Sequence, residues 1–240
     1  TVSYVSLLNP FPLSGTQLQN RIVMPPMVIW KAGKDGKVTE DHIAHYHDSG
    51  GAGITIVEAT AVSPEGRLAA TELGLFDDEQ VPGMERLAGT IAETGSLPGV
   101  QLLHAGGKTN TDRTYGLAPL VVSRTSETSD SKHELTASDI ERILGDFTTA
   151  ARRAVSAGFK LLELHGAHGY LGAQFLSPKT NRRTDGWGGS FEKRLRFLIE
   201  LVRRVRAGVG QEAMLSVRLG VAEGGADGLG VEEGVRAAEI

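Results

Sequence analysis

The strongest limit on how this chain can fold is a recurrence: five short apolar runs, each followed by a stretch with helical periodicity. Residues 21–25, 54–58, 100–103, 161–164 and 214–219 read as strands. Residues 39–49 read as a helix stopped by Gly50-Gly51, and residues 82–94 as a second with Met84, Leu87 and Ile91 on one face and Gly95 at its end. Thr136 is placed to cap a longer helix, with Asp139 three residues on as its capping-box partner. Ile140, Ile143, Leu144, Phe147, Ala151 and Val155 line the inner face of that helix, and Gly158 stops it. The helix expected over 190–207 buries Leu195, Leu198, Leu201, Val202 and Val205 and ends at Gly208, and a last helix covers 231–240. Repeated βα units demand a parallel sheet, because a helical crossover brings each strand back in the same direction.

Such a sheet is either open or closed into a barrel. Gly51-Ala52-Gly53 precedes a strand instead of following one, so it lacks the strand–glycine–helix context of a dinucleotide fingerprint. Polar residues stand instead at the C-terminal ends of several strands: Glu58, Gln101 and His104, His165 and His168, and Arg218. Contributions from many strand ends to one face are how a (β/α)8 barrel builds a site. The expected fold is therefore α/β, a (β/α)8 (TIM) barrel of which this chain holds about the first five βα units. Five barrel strands cannot close, and the expectation is that residues 1–240 are the N-terminal part of a longer polypeptide.

The densest chemistry is His165-Gly166-Ala167-His168-Gly169-Tyr170, at the tip of the fourth run. Two imidazoles and a phenol in one small volume offer hydrogen-bond donors and a proton source. Two further segments look functional. Residues 105–135 are too long for an ordinary βα loop, and such loops are lids or binding loops when ordered. Residues 176–190 hold Arg182, Arg183 and Asp185, read as structural locks for the 168–170 loop.

Bulk properties narrow the partners. With 25 basic and 29 acidic residues the net charge is −4, which gives no electrostatic reason to expect nucleic acid or a membrane surface. The absence of cysteine rules out disulfides and thiolate chemistry in this stretch and suits a cytoplasmic protein. No signal-peptide pattern is visible at the start, and no apolar run nears the ~20 residues of a membrane helix. A small-molecule substrate is the expected partner, with homo-oligomer formation left open.

Residues 165–171, then Gln174-Phe175-Leu176-Ser177-Pro178, Asn181, Arg183, Asp185, Trp187-Gly188-Gly189-Ser190, Glu192 and Arg194-Leu195-Arg196-Phe197 closely resemble the Old Yellow Enzyme family of flavin oxidoreductases. The likeness extends to Asn20-Arg21-Ile22-Val23-Met24-Pro25-Pro26-Met27, Val57-Glu58-Ala59, residues 100–106 and Leu215-Ser216-Val217-Arg218. It implies an FMN-binding barrel, an ene-reductase that passes hydride from NADH or NADPH through FMN to an electron-poor alkene. By that resemblance Pro25, Pro26, Met27 and Ala59 lie against the flavin ring and Gln101 pairs with its pyrimidine edge. Arg218 sits where negative charge gathers on reduction, and His165 also contacts the cofactor. His165 and His168 hold the carbonyl oxygen of an enone or enal, and Tyr170 protonates the α-carbon. Val28 and Trp30 stand in the substrate pocket where branches of the family carry Cys or Thr, and Tyr. Phe191 and Lys193 depart from an expected Pro and Asn with little effect. The loops that grip the FMN phosphate belong to later strands. Two other readings compete: a barrel lyase or metal-dependent hydrolase with His165 and His168 as ligands, and an inactive truncated fragment.

Overall fold

Residues 7–125, 128–225 and 227–240 are described by the computed structural model. A small antiparallel hairpin, β1 (Phe11–Leu13) with β2 (Thr16–Leu18), precedes the main sheet. The alternating units follow as β3 (Val23–Met24), α1 (Glu40–Asp48), β4 (Ile54–Ala61), β5 (Leu73–Gly74), α2 (Val81–Glu93) and β6 (Leu97–Leu103). The second half holds β7 (Leu120–Val121), β8 (His133–Glu134), α3 (Ala137–Ser156), β9 (Leu161–Gly166), α4 (Leu171–Leu176), α5 (Phe191–Val209), β10 (Met214–Leu219) and α6 (Val231–Glu239).

In the main sheet the spatial order is β3-β4-β6-β9-β10, every pairing parallel, with the short β5 also on β4. Spatial order equals chain order. A doubly wound sheet reverses direction at a switch point near its middle, whereas consecutive strands laid side by side are the arrangement of a barrel wall. The helices follow the same order on the outside, α1 packing on α2, α2 on α3 and α3 on α5. The main core lies between wall and helices, where Ile143, Phe147, Phe159, Leu162 and Phe197 are buried. Strands β4 and β9 are buried along their whole length, as befits strands with a neighbour on both sides. β10 is half-buried throughout and pairs, among the described residues, with β9 alone.

Several boundaries differ from the sequence reading for physical reasons. Only Val23 and Met24 of the first run find ladder partners, Ile54 and Thr55, so that strand is two residues long. β4 continues to Ala61 because a bulge at Glu58 lets it stay paired with β6. β9 extends through Gly166, which puts His165 inside the strand. Gly208 is not a stop. It lies inside α5, where an added Cβ would come within 2.5 Å of Thr148 Cγ2 on α3, so it is there for close helix packing. The helix ends instead at Gly210, with φ +56°. Val155 and Val202 are half-buried, packed on the rim of the core.

The Thr136 cap stands as expected: its hydroxyl accepts from the Asp139 N–H (3.1 Å) and its own N–H donates to the Asp139 carboxylate (2.9 Å). Replacing Thr136 by Ala removes that reciprocal pair. The expected loss is about 1 kcal/mol of stability, read as a lower urea midpoint with an unchanged slope.

Candidate functional site

Strand register gathers the site. Across the parallel pairs Ala59 aligns with Gln101, Gln101 with Glu163, Glu163 with Ser216, and His165 with Arg218. Side chains two apart on a strand share a face, so Ala59, Gln101, Glu163, His165 and Arg218 all belong to one surface of the wall. Without the bulge Ala59 would fall out of this set, because Val57 pairs with Val100 on the opposite pleat. The Gln101 amide donates through Nε2 to Glu163 Oε1 at 2.6 Å, both side chains being buried. The Arg218 guanidinium has no hydrogen-bond or ion-pair partner among the described residues; its charge acts on Glu163, His165 and His168.

At the end of β9 the chain turns sharply. His168 and Gly169 are consecutive left-handed residues, with φ +57° and +72°. The turn is fixed by Lys108 Nζ, which donates to the His168 carbonyl (2.7 Å) and lies 5.2 Å from the centre of the Tyr170 ring. His165 and His168 meet edge to face at 5.0 Å, as do His165 and Tyr170. The hydrogen bonds set the tautomers. Ala167 N–H donates to His165 Nδ1 (3.2 Å), so the proton of a neutral ring sits on Nε2, 3.2 Å from His168 Nδ1. That leaves His168 with its proton on Nε2, free to be donated. Tyr170 packs on the buried cluster of Ala59, Leu103 and Ala105, as Val28 and Leu68 also do, which brings it over the same wall.

Gln174 clips the two strand-end loops together. Its Nε2 donates to the carbonyls of Ala105 (3.1 Å) and Gly169 (2.7 Å), and its Oε1 accepts from Gly107 N–H (3.0 Å). Gly106, with φ +59°, is obligatory beneath it, since a Cβ there would lie 2.4 Å from Gln174 Oε1. The long 105–135 connection is tied down too. Tyr115 donates to the Ala70 carbonyl (2.8 Å), Lys132 to Gly107 (2.7 Å), and β7 pairs with β8.

Here one sequence expectation needs correction. Arg183 is a structural lock, but its guanidinium bonds the carbonyls of Val122 (3.0 Å) and Leu135 (2.7 Å) as well as Asp185. It therefore holds the 105–135 connection, not the 168–170 turn. Arg182 also meets that connection, its N–H donating to Ser123 Oγ (3.0 Å), while its side chain reaches Asp227 at 3.6 Å. The reason is length: residues 181–185 lie beyond α4, a helix away from the turn.

Glu58 and His104 also depart from expectation, for neither joins the shared face. Glu58 is the extra residue of the bulge, and its fully buried carboxylate accepts from Ile29 N–H (3.0 Å) and from the Trp30 backbone. His42 and Tyr46 of α1 stand beside it. It thus pins the loop of Pro25, Pro26, Met27, Val28 and Trp30, in which Trp30 has φ +56°. Pro26 is buried, while Pro25, Met27 and Trp30 are exposed. His104 is buried under the Gly66 turn and accepts from Gly106 N–H (3.0 Å). Sequence reasoning missed Glu163, Gln174 and Lys108; the alternation of Glu163 with His165 along the strand was the available signal for the first.

The donor set fits a flavin. A locked amide beside an unpartnered guanidinium suits a planar ring edge of alternating donors and acceptors, and Ala59 leaves room against the wall. Among the described residues no third His, Asp or Glu joins His165 and His168 in a group able to hold a metal ion. Burial pushes His165 down to about 3, helped by the charges of His168, Arg218 and Lys108; burial takes His42 and His104 to about 4. An unfolded histidine binds its proton near pH 6.5, so the stability these rings contribute is complete above that value and lost as pH falls toward 4. Burial pushes Glu58 up to about 7, and its contribution runs the other way, lost as pH rises through 7. Proton NMR of the His165 ring is expected to show no titration between pH 8 and 5; a midpoint near 6.5 would contradict this placement.

A family model described as the NADH:flavin oxidoreductase / NADH oxidase family matches residues 6–240. The chain is 44% identical over 203 residues to an NADPH dehydrogenase of Geobacillus sp. (strain WCH70), covering 83% of this chain and 59% of that protein. It is 41% identical over 230 residues to the NADPH dehydrogenase of Geobacillus thermodenitrificans (strain NG80-2), covering 95% and 66%. The chain thus spans about three fifths to two thirds of the length of these relatives. The structure of the old yellow enzyme homologue from Zymomonas mobilis superimposes with a TM-score of 0.86 at 30% identity, over 95% of this chain and 67% of that one. With its sequential parallel wall and its match over residues 6–240, the chain belongs to the NADH:flavin oxidoreductase / NADH oxidase family, that of the Old Yellow Enzymes.

Proposed function

We propose that this chain supplies the ring-binding and substrate-activating part of an FMN-dependent oxidoreductase that takes hydride from NADH or NADPH and delivers it to an activated alkene, an enone or enal. The observation that carries the reading is the shared face: Ala59, Gln101, His165 and Arg218 in register, with His168 and Tyr170 on the turn directly above. In this reading residues 1–240 form the N-terminal portion of the barrel, and the later strands bring the phosphate-binding loops that this fold places there. The relatives' greater length supports that division. No helix among the described residues is long and apolar enough to cross a membrane, and a cytoplasmic setting with a small-molecule substrate is part of the proposal.

FMN, when bound, accepts and donates the hydride. Gln101 and Arg218 hold its ring, with Pro25, Pro26, Met27 and Ala59 forming the surface against it. The Arg218 guanidinium stabilises negative charge at the ring edge, since it is a fixed cation with no competing partner. His165 and His168 are neutral at pH 7, for burial lowers the affinity of both rings for protons. His168 donates its free Nε2–H to a substrate carbonyl, whose oxygen gathers negative charge as the β-carbon is reduced. The Nε2–H of His165, directed at His168 Nδ1 in this structure, joins it where the carbonyl takes the place of that acceptor. Such donors stabilise the transition state more than the ground state. Burial raises the Tyr170 phenol above its ordinary value, so it enters the reaction protonated and serves as the acid for the α-carbon. Val28, which packs on the same Ala59–Leu103–Ala105 cluster as Tyr170, and Trp30 shape the alkene pocket.

The full-length protein is expected to be yellow, to bleach with NADPH or NADH without oxygen and to recover its colour with an enone. A protein that cannot be loaded with FMN would defeat the proposal. In Tyr170→Phe, reduction by the nicotinamide should persist while enone turnover falls by about 10²-fold or more. Unchanged turnover would remove Tyr170 from its role.

A further inference from the structure

Glu163 has no role in the reading above, yet among the described residues it is the only group that fixes which way the Gln101 amide faces. An ionised carboxylate accepts hydrogen bonds and cannot donate. Gln101 must therefore turn Nε2 toward it, and the 2.6 Å bond shows that it does. The amide oxygen is left as the acceptor for whatever Gln101 holds. The same carboxylate lies one register step from Arg218: Glu163 pairs with Ser216, and His165 with Arg218, on one face of adjacent strands. Arg218 has no other acid to balance it among the described residues. Burial raises the Glu163 carboxyl above its ordinary value, and the Gln101 hydrogen bond and the Arg218 charge oppose that rise by favouring the charged form.

We propose that Glu163 is a positioning and charge-balancing residue of the flavin site, locking Gln101 with its oxygen toward the ring and opposing part of the Arg218 field there. The assignment rests on the flavin reading of the site. It makes two separable demands. The orientation requires an acceptor that reaches Gln101, and the charge balance requires a negative charge at residue 163. Glu163→Gln keeps the length, removes the charge and permits the amide to flip. Glu163→Asp keeps the charge and falls one methylene short of Gln101.

The test compares full-length holoprotein with these two variants. The two-electron reduction equilibrium of bound FMN is measured against a redox dye, and FMN affinity by fluorescence quenching. Glu163→Gln is expected to shift the equilibrium toward the reduced form about tenfold, which is about 30 mV. Glu163→Asp is expected to hold the equilibrium within about twofold while FMN dissociates about tenfold more readily, the cost of a hydrogen bond to a charged group. An unmoved equilibrium in the Gln form, or parent-like FMN affinity in the Asp form, would overturn the assignment while the parent still binds and reduces FMN. Should the Gln form fail to fold, the Asp form decides by its affinity. A parent that takes no FMN overturns the flavin reading, and the assignment with it.

Discussion

The candidate site depends on the register of β9 against its two neighbours. A parallel ladder repeats every two residues, so a slip of one residue would send Glu163 and His165 to the helix side and bring Leu162 and Leu164 to the site. The apolar residues prevent that slip. Leu162 and Leu164 are fully buried in the core that Phe147 and Phe197 also fill, and exchanging them for two ionisable groups would leave charges without partners. The same constraint explains the bulge. The β4 run has buried residues at every position, so its face is not decided by hydrophobicity alone. Placing Glu58 as the unpaired residue turns Ala59 to the Gln101 side, while its carboxylate is used to hold the 25–30 loop.

The turn after β9 then has to be held against its own backbone preference. A left-handed non-glycine residue costs roughly 1–2 kcal/mol, and His168 is one, followed at once by Gly169. Lys108, from the loop after β6, and Gln174, on the α4 helix that follows the turn, oppose that cost, each bonding a carbonyl of the turn. The 105–107 loop and the 168–170 turn are therefore one unit. A contact that moves Gly107 moves the Gly169 carbonyl through a single side chain.

Much of this was legible in the sequence, and the gaps have causes. The amphipathic helices and the Thr136–Asp139 cap follow from local periodicity and capping chemistry, and both appear. The strand tips at Gln101, His165 and Arg218 follow from the polar ends of apolar runs. What local pattern cannot encode is a partner sixty or more residues away. Gln101 and Glu163 look unrelated in the chain until the ladder aligns them, and Gln174 resembles any helical glutamine until its two loops are seen beside it. Glu58 misled for the opposite reason: a bulge is invisible to a period-two reading. Gly208 did so because a packing glycine and a stopping glycine look alike.

The electrostatics of the face divide along its length. The histidines at its outer end are neutral, burial and the nearby cations both opposing a second proton. Among the described residues the only fixed positive charge on the face is Arg218, two strands from Gln101 and directly beside His165. In the proposed reaction a neutral N–H still strengthens its hydrogen bond as charge develops on the oxygen it faces. In the proposed function, uncharged imidazoles and a cationic Arg218 divide two tasks between groups a register pair apart. Without Arg218, His165 would lose one of the charges that hold it neutral.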